Sequence, residues 1–136
     1  MSVHGSWKDL RHPERRAELL ETLMELGDPA YQQAAWIDRS IDQHLITGID
    51  QVYHFLYDDS DLGNDPEGCI GYTLFDPEEV KVIRDLTQLL DSLLHDLGDV
   101  KSEHFIRHPL WPLVVERAKV AFALLEKRGI PFTPRR

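Results

Sequence analysis

The chain has 136 residues, of which 42% are apolar and 29% charged, the composition of one ordinary globular domain with enough length for an unaided core. A single cysteine, Cys69, excludes an internal disulfide and any multi-cysteine zinc site, and the longest apolar runs are far too short to span a bilayer. The net charge of −9 comes from one stretch, residues 40–80, which holds ten carboxylates and no Lys or Arg, and this disfavours phosphate backbones and anionic lipids as partners.

The N-terminus, MSVHGSWKDLRHPERR, lacks the apolar core of a signal peptide, so a cytoplasmic protein is expected. The first helix is predicted from Pro13 towards Gly27, with Leu19, Leu20, Leu23, Met24 and Leu26 on its apolar side. Asp28-Pro29 then opens a shorter helix carrying Tyr31, Ala34, Ala35 and Trp36. Thr47, with Asp50 three residues on, marks the start of another, whose Ile49, Val52, Tyr53 and Leu56 share a face. Cys69 to Phe75 has strand-like composition but no second strand to pair with, so it is read as an extended or looped segment. Asp76-Pro77-Glu78-Glu79 combines an N-cap, a proline at the first helical position and a capping-box glutamate. The helix it starts carries Ile83, Leu86, Leu90, Leu93 and Leu97 at spacings of three and four. Val82, Leu89 and Leu94 widen that stripe, and Gly98 is the stop. Its apolar stripe is the widest in the chain, which predicts a central place in the core. A short helix is predicted between Val100 and Arg107. A last long one runs from about Pro112 to Arg128, with Val115, Ala118, Phe122 and Leu125 inward and Gly129 then Pro131 ending it. The fold class is all-α: a single compact domain of five to six helices with an acidic loop, in which 1–10 and 131–136 are candidate loose termini.

No catalytic constellation emerges. The loop from Asp58 to Gly68 fits no EF-hand frame, because Leu62 or Gly63 falls at the fifth ligand position and Cys69 or Ile70 at the twelfth. His104 and His108 are four apart, but Pro109 disfavours helical geometry at His108, and His44 and His54 lack ligand spacing. Cys69 could take His54 or His95 as a base, yet nothing beside it would lower its pKa. Glu78 and Glu79 are explained by the helix start. No glycine pattern cradles a phosphate. Nucleic-acid binding is disfavoured by the charge, although Arg15, Arg16, Lys127 and Arg128 are cations that could touch a phosphate.

A binding surface remains. Tyr53 and Tyr57 lie four apart on the helix entering the acidic loop, and aromatic anchors beside a field of one sign are usual in protein recognition. The candidate partner-binding residues are therefore Asp58, Asp59, Asp61, Asp65, Glu67, Tyr53 and Tyr57. Catalytic residues, metal ligands and cofactors are not expected. Asp28-Pro29-Ala30-Tyr31-Gln32-Gln33 followed by Trp36, and His108-Pro109-Leu110-Trp111-Pro112 followed by Val114, resemble signatures of small, uncharacterised, mainly actinobacterial helical proteins. That resemblance implies a helical fold and no activity. In size and acidity the chain is also similar to bacterial toxin-immunity proteins, some of which present carboxylates where a nuclease toxin expects phosphates. The functional expectation is a non-enzymatic acidic protein that binds a basic protein, most concretely an immunity-type inhibitor of a basic toxin. The alternative is a small metal- or ligand-binding helical protein.

Overall fold

The computed structural model describes residues 9–40 and 48–128. Expectations placed on Asp42, His44, Thr47, Gly129, Pro131 and the outermost residues of both termini lie outside them. The described residues form six α-helices: α1 (Pro13–Leu26), α2 (Pro29–Tyr31), α3 (Ile49–Tyr53), α4 (Pro77–Leu97), α5 (Ser102–Ile106) and α6 (Trp111–Lys127). Two of them continue as π-helical turns, α2 into Gln32–Ile37 and α3 into His54–Asp59. The described residues form one compact all-helical domain without strands; a lone bridge joins Ile70 to Leu74.

Local chemistry sets most helix ends. Asp28 accepts a hydrogen bond from the Tyr31 amide at 3.1 Å, and Asp76 accepts one from the Glu79 amide at 3.1 Å. Gly98 ends α4 at φ 72°, a conformation that favours glycine. At α3 the cap comes from elsewhere: the Ile49 amide donates to the Ser102 hydroxyl at 3.0 Å, across 53 residues of sequence. The first π-helical turn closes with the Asp38 amide donating to Gln33 O at 2.8 Å, five residues back.

The widest apolar stripe does not mark the middle of the fold. α6 lies between α1 and α4 and packs on both. Its Val114, Ala118, Ala121 and Leu125 are buried, and the two alanines present little bulk to the neighbouring helices. α1 contributes Leu19, Leu20, Leu23 and Leu26, and α4 contributes Ile83, Leu86, Leu90 and Leu93. The width of the α4 stripe also overstates its burial. Leu94 is 40% exposed although it lies only about 40° round the helix from buried Leu90.

Where the three long helices meet, a charged pair is sealed inside. Arg16 of α1 and Glu79 of α4 are both 0% exposed and form a bidentate pair at 2.9 and 3.0 Å. The same guanidinium donates to Thr73 O at 3.1 Å and to Leu125 O at 3.3 Å, and it lies 4.5 Å from the centre of the Phe75 ring. Glu79 completes its shell with the Phe75 amide at 2.9 Å and Arg128 at 3.2 Å. So Glu79 does more than start a helix: it ties α1, α4 and the end of α6 together. Arg16, enclosed here, has no access to a phosphate.

The segment from Cys69 to Phe75 is a loop, as its composition implies. It follows a 3-10 turn at Glu67–Cys69 and reverses on itself through Gly71 N to Leu74 O (2.8 Å) and Leu74 N to Cys69 O (3.1 Å). Thr73 and Leu74 are buried beneath it.

Candidate functional site

The acidic stretch divides into two parts with different electrostatics. At its C-terminal end the carboxylates meet arginines brought from distant sequence: Asp76, Glu78 and Glu79 face Arg128, Glu79 also Arg16, and Glu67 pairs with Arg84. From Asp50 to Asp65 the described residues supply no Lys or Arg partner. Asp58 and Asp59 meet only an imidazole, with His54 Nδ1 2.9 Å from Asp58 and Nε2 3.3 Å from Asp59. The π-helical turn explains this double contact, since its wider winding brings residues four and five along under the same side chain.

The loop that follows is held by its own side chains. Leu62 is fully buried, Ser60 Oγ donates to Phe55 O at 2.8 Å, and Asn64 Nδ2 donates to Tyr57 O at 3.2 Å. Asp65 accepts from the Gly68 amide at 3.2 Å. Gly63 lies against the Tyr57 ring so closely that a Cβ there would collide with it. Asp58, Asp61 and Asp65 are thus displayed on an ordered scaffold, exposed to solvent.

Tyr53 and Tyr57 stack at 6.0 Å, half-buried, with their hydroxyls turned towards α4. Tyr53 donates to Leu90 O at 2.6 Å, while Tyr57 donates to Asp91 and to Thr87 O at 3.3 Å. Burial first, then the Asp91 carboxylate, raises both phenols well above the ordinary tyrosine range. Their hydroxyls are therefore committed to the fold, and their ring edges line a shallow groove of about 530 Å³ with Asp50, His54, Asp58 and Leu94.

Asp59 and Asp61 face another way. They border a second cleft of about 530 Å³, with His12, Arg15, Cys69 and Tyr72 on its walls. The seven sequence-predicted residues are therefore not one patch: Tyr53, Tyr57 and Asp58 share the groove, Asp59 and Asp61 the cleft, Asp65 is in the loop between turns, and Glu67 is paired with Arg84. Cys69, in the cleft wall, is 6% exposed and sits 3.5 Å from Asp65 O. Burial, then the Asp61 and Asp65 charges, push its thiol up to about 11, which leaves very little thiolate near neutrality.

Among the described residues no three His, Cys, Asp or Glu side chains are grouped as a metal ion would need. His108 serves the start of α6: its Nδ1 accepts from the Leu110 amide at 3.0 Å, so Nε2 carries the hydrogen it donates to Asp96 at 2.7 Å. No described helix is long and apolar enough to cross a membrane.

The two stretches that carry the family resemblance meet in the core. Gln32, 0% exposed, accepts from Trp111 Nε1 at 3.0 Å and donates to Glu25 O at 2.8 Å and Leu26 O at 2.9 Å. Trp36 packs edge-on against Trp111 at 6.3 Å. One amide thus joins the end of α1 to the start of α6, and the resemblance rests on a structural clamp. A family model described as a domain of unknown function, DUF7945, matches residues 10–129. The chain belongs to that family. The DUF7945 match spans the clamp, the Arg16–Glu79 pair and both clefts. No curated protein and no solved structure matches the chain.

Three important residues of this DUF7945 domain escape a reading by residue type alone. Arg16 and Glu79 each sit on the apolar stripe of an amphipathic helix, Arg16 three and four residues before Leu19 and Leu20, Glu79 four before Ile83. That position was the available signal, since an opposite-charge pair on two inward stripes is a candidate buried bridge. Leu94 gives no such signal, since a helical projection sets it about 40° from buried Leu90 and only the packing leaves it exposed.

Proposed function

We propose that this protein is a non-enzymatic acidic binding protein that recognises a basic protein, most concretely an immunity-type inhibitor of a basic toxin. The observation that carries this reading is the distribution of compensating charge. Carboxylates near the end of the acidic stretch are neutralised by Arg16, Arg84 and Arg128, whereas those from Asp50 to Asp65 face solvent without an Arg or Lys among the described residues. An ordered scaffold that holds uncompensated like charge sacrifices some stability through self-repulsion, and it attracts a cationic partner over a distance. The buried, protonated Cys69 and the committed tyrosine hydroxyls also support a binding role over a catalytic one.

The test is a pull-down from the native organism followed by association kinetics on wild type and a variant with Asp58, Asp59, Asp61 and Asp65 changed to Asn. The association rate should fall in the variant and, for wild type, with rising salt, because exposed charges steer encounter over a screening length of about 8 Å. A partner that is itself acidic, or kinetics indifferent to both changes, would remove the reading.

A further inference from the structure

Three concave surfaces formed by described residues differ in charge. The cleft beside Cys69 mixes signs, with Arg15 and His12 among Glu14, Asp59 and Asp61 on its wall and Arg11 next to it over the Tyr72 ring at 5.7 Å. The groove at the end of α1 carries Lys119. The groove between the α3 helix with its π-helical turn and α4 has no Lys or Arg in its lining. Asp50 and Asp58 stand on its rim, and Asp91, bonded to Tyr57, adds a third carboxylate beside it. Its apolar surface is also unusual: Leu94, in the last turn of α4, is 40% exposed next to the stacked Tyr53 and Tyr57.

We propose that this groove is the docking site of the basic partner, and that it takes an amphipathic segment whose Arg or Lys side chains reach Asp50 and Asp58 while an apolar side chain covers Leu94 and the Tyr53 and Tyr57 edges. The inference rests on the basic-partner reading above and adds the place and the chemistry of contact. The absence of an opposing cation selects this groove. A cationic segment would meet Arg15 among Glu14, Asp59 and Asp61 in the cleft, and Lys119 beside Asp28 in the third groove. Here Asp50 and Asp58 face it without a Lys or Arg in the lining. The apolar floor supplies what charge alone does not. Exposed ion pairs contribute little to holding a complex, whereas an aromatic and aliphatic patch inside a charged rim has the form of an interface centre.

The experiment is a titration of the isotopically labelled full-length chain with a synthetic amphipathic peptide of Leu and Arg, monitored by backbone amide shifts. The same peptide with Glu for Arg, and oligo-arginine, are compared with it. The Leu-Arg peptide should bind most tightly, with the largest shifts around Asp50–Asp58 and Thr87–His95. Leu94→Glu is the deciding variant. It adds negative charge, so a purely electrostatic surface would bind the peptide more tightly, whereas the groove should lose about tenfold in affinity through its apolar floor. Asp50→Asn with Asp58→Asn should weaken binding more than Asp59→Asn with Asp61→Asn, which removes equal charge from the neighbouring cleft. Thermal unfolding of each variant confirms that the fold is kept. If the Leu-Arg peptide binds but Leu94→Glu tightens it, or if the shifts fall at the Cys69 cleft, the groove is not the site and the basic-partner reading stands. If the Leu-Arg peptide binds no better than its Glu counterpart, both fall together.

Discussion

Replacing Arg16 by Met tests the junction of the three long helices. Met fills much of the arginine stem, so the loss is chiefly that of the charge and not of volume. What it leaves is Glu79, 0% exposed, without its bidentate partner, and the Thr73 carbonyl without the guanidinium, while Leu125 O keeps the Arg128 amide at 3.1 Å. Breaking a buried pair from one side generally costs about 3–5 kcal/mol. The low end is expected here, because Glu79 keeps the Phe75 amide at 2.9 Å and Arg128 at 3.2 Å. A loss of about 3 kcal/mol is a large part of the roughly 5–15 kcal/mol that holds a typical domain, and at about 4 °C per kcal/mol it lowers Tm by about 12 °C. Urea unfolding followed by far-UV circular dichroism measures it, with the midpoint falling and the slope unchanged. Adding Glu79→Leu to Arg16→Met should recover much of the loss, since an apolar pair often replaces a buried ion pair at little cost. A single-variant loss below about 1 kcal/mol, the value of an exposed pair, would show that solvent reaches the junction and would refute its role as a tie between helices. Strict additivity of Arg16→Met and Glu79→Leu would refute it equally, because contacting residues should couple.

Leu90→Ala should cost about 2–5 kcal/mol, the usual range for a buried leucine, and a chemical-denaturation loss under about half a kcal/mol would mean that α4 is turned differently. Gln32→Leu should cost about 1–3 kcal/mol by taking the partner from Trp111 Nε1 and the side-chain donor from Leu26 O, while Glu25 O keeps the Asp28 amide, and its effect should couple to that of Trp111→Phe in a double-mutant cycle. The Cys69 thiol, raised from 9.0 to about 11, should react with a disulfide reagent at pH 8 about a hundredfold more slowly than in the urea-unfolded chain. Because the folded value is the higher one, the stability linked to the neutral thiol is fully present below pH 9 and is lost as pH rises through about 11. Rapid native-state reaction at pH 8 would contradict the buried, acid-flanked setting of the sulfur.

Much of the helical framework is legible in the sequence, because helix starts and stops are local. Asp28, Asp76, Pro29, Pro77 and Gly98 act on amides within one turn, so their type and order suffice to place α2 and α4. The spacing of Leu86, Leu90 and Leu93 likewise reports an inward face without reference to any other element. The charge of the acidic segment is equally a property of the chain itself. What tertiary structure decides is which groups face one another. Whether an acidic residue is neutralised depends on Arg16, Arg84 or Arg128 arriving from another helix, and no local rule distinguishes Glu67 from Asp61. The cap of α3 by Ser102 and the clamp of Gln32 on Trp111 bridge 53 and 79 residues, distances over which sequence spacing carries no geometric information. The order of the long helices, with α6 inside and α4 to one side, follows from the fit of Ala118 and Ala121 between neighbours and not from the width of any single stripe. The groove itself exists only because Tyr53, just before the π-helical turn, and Tyr57, within it, are drawn onto α4 by hydroxyl bonds to Leu90, Thr87 and Asp91, leaving Leu94 uncovered beside them. Burial and pairing are sums over all neighbours in space, and only the packed chain determines that sum.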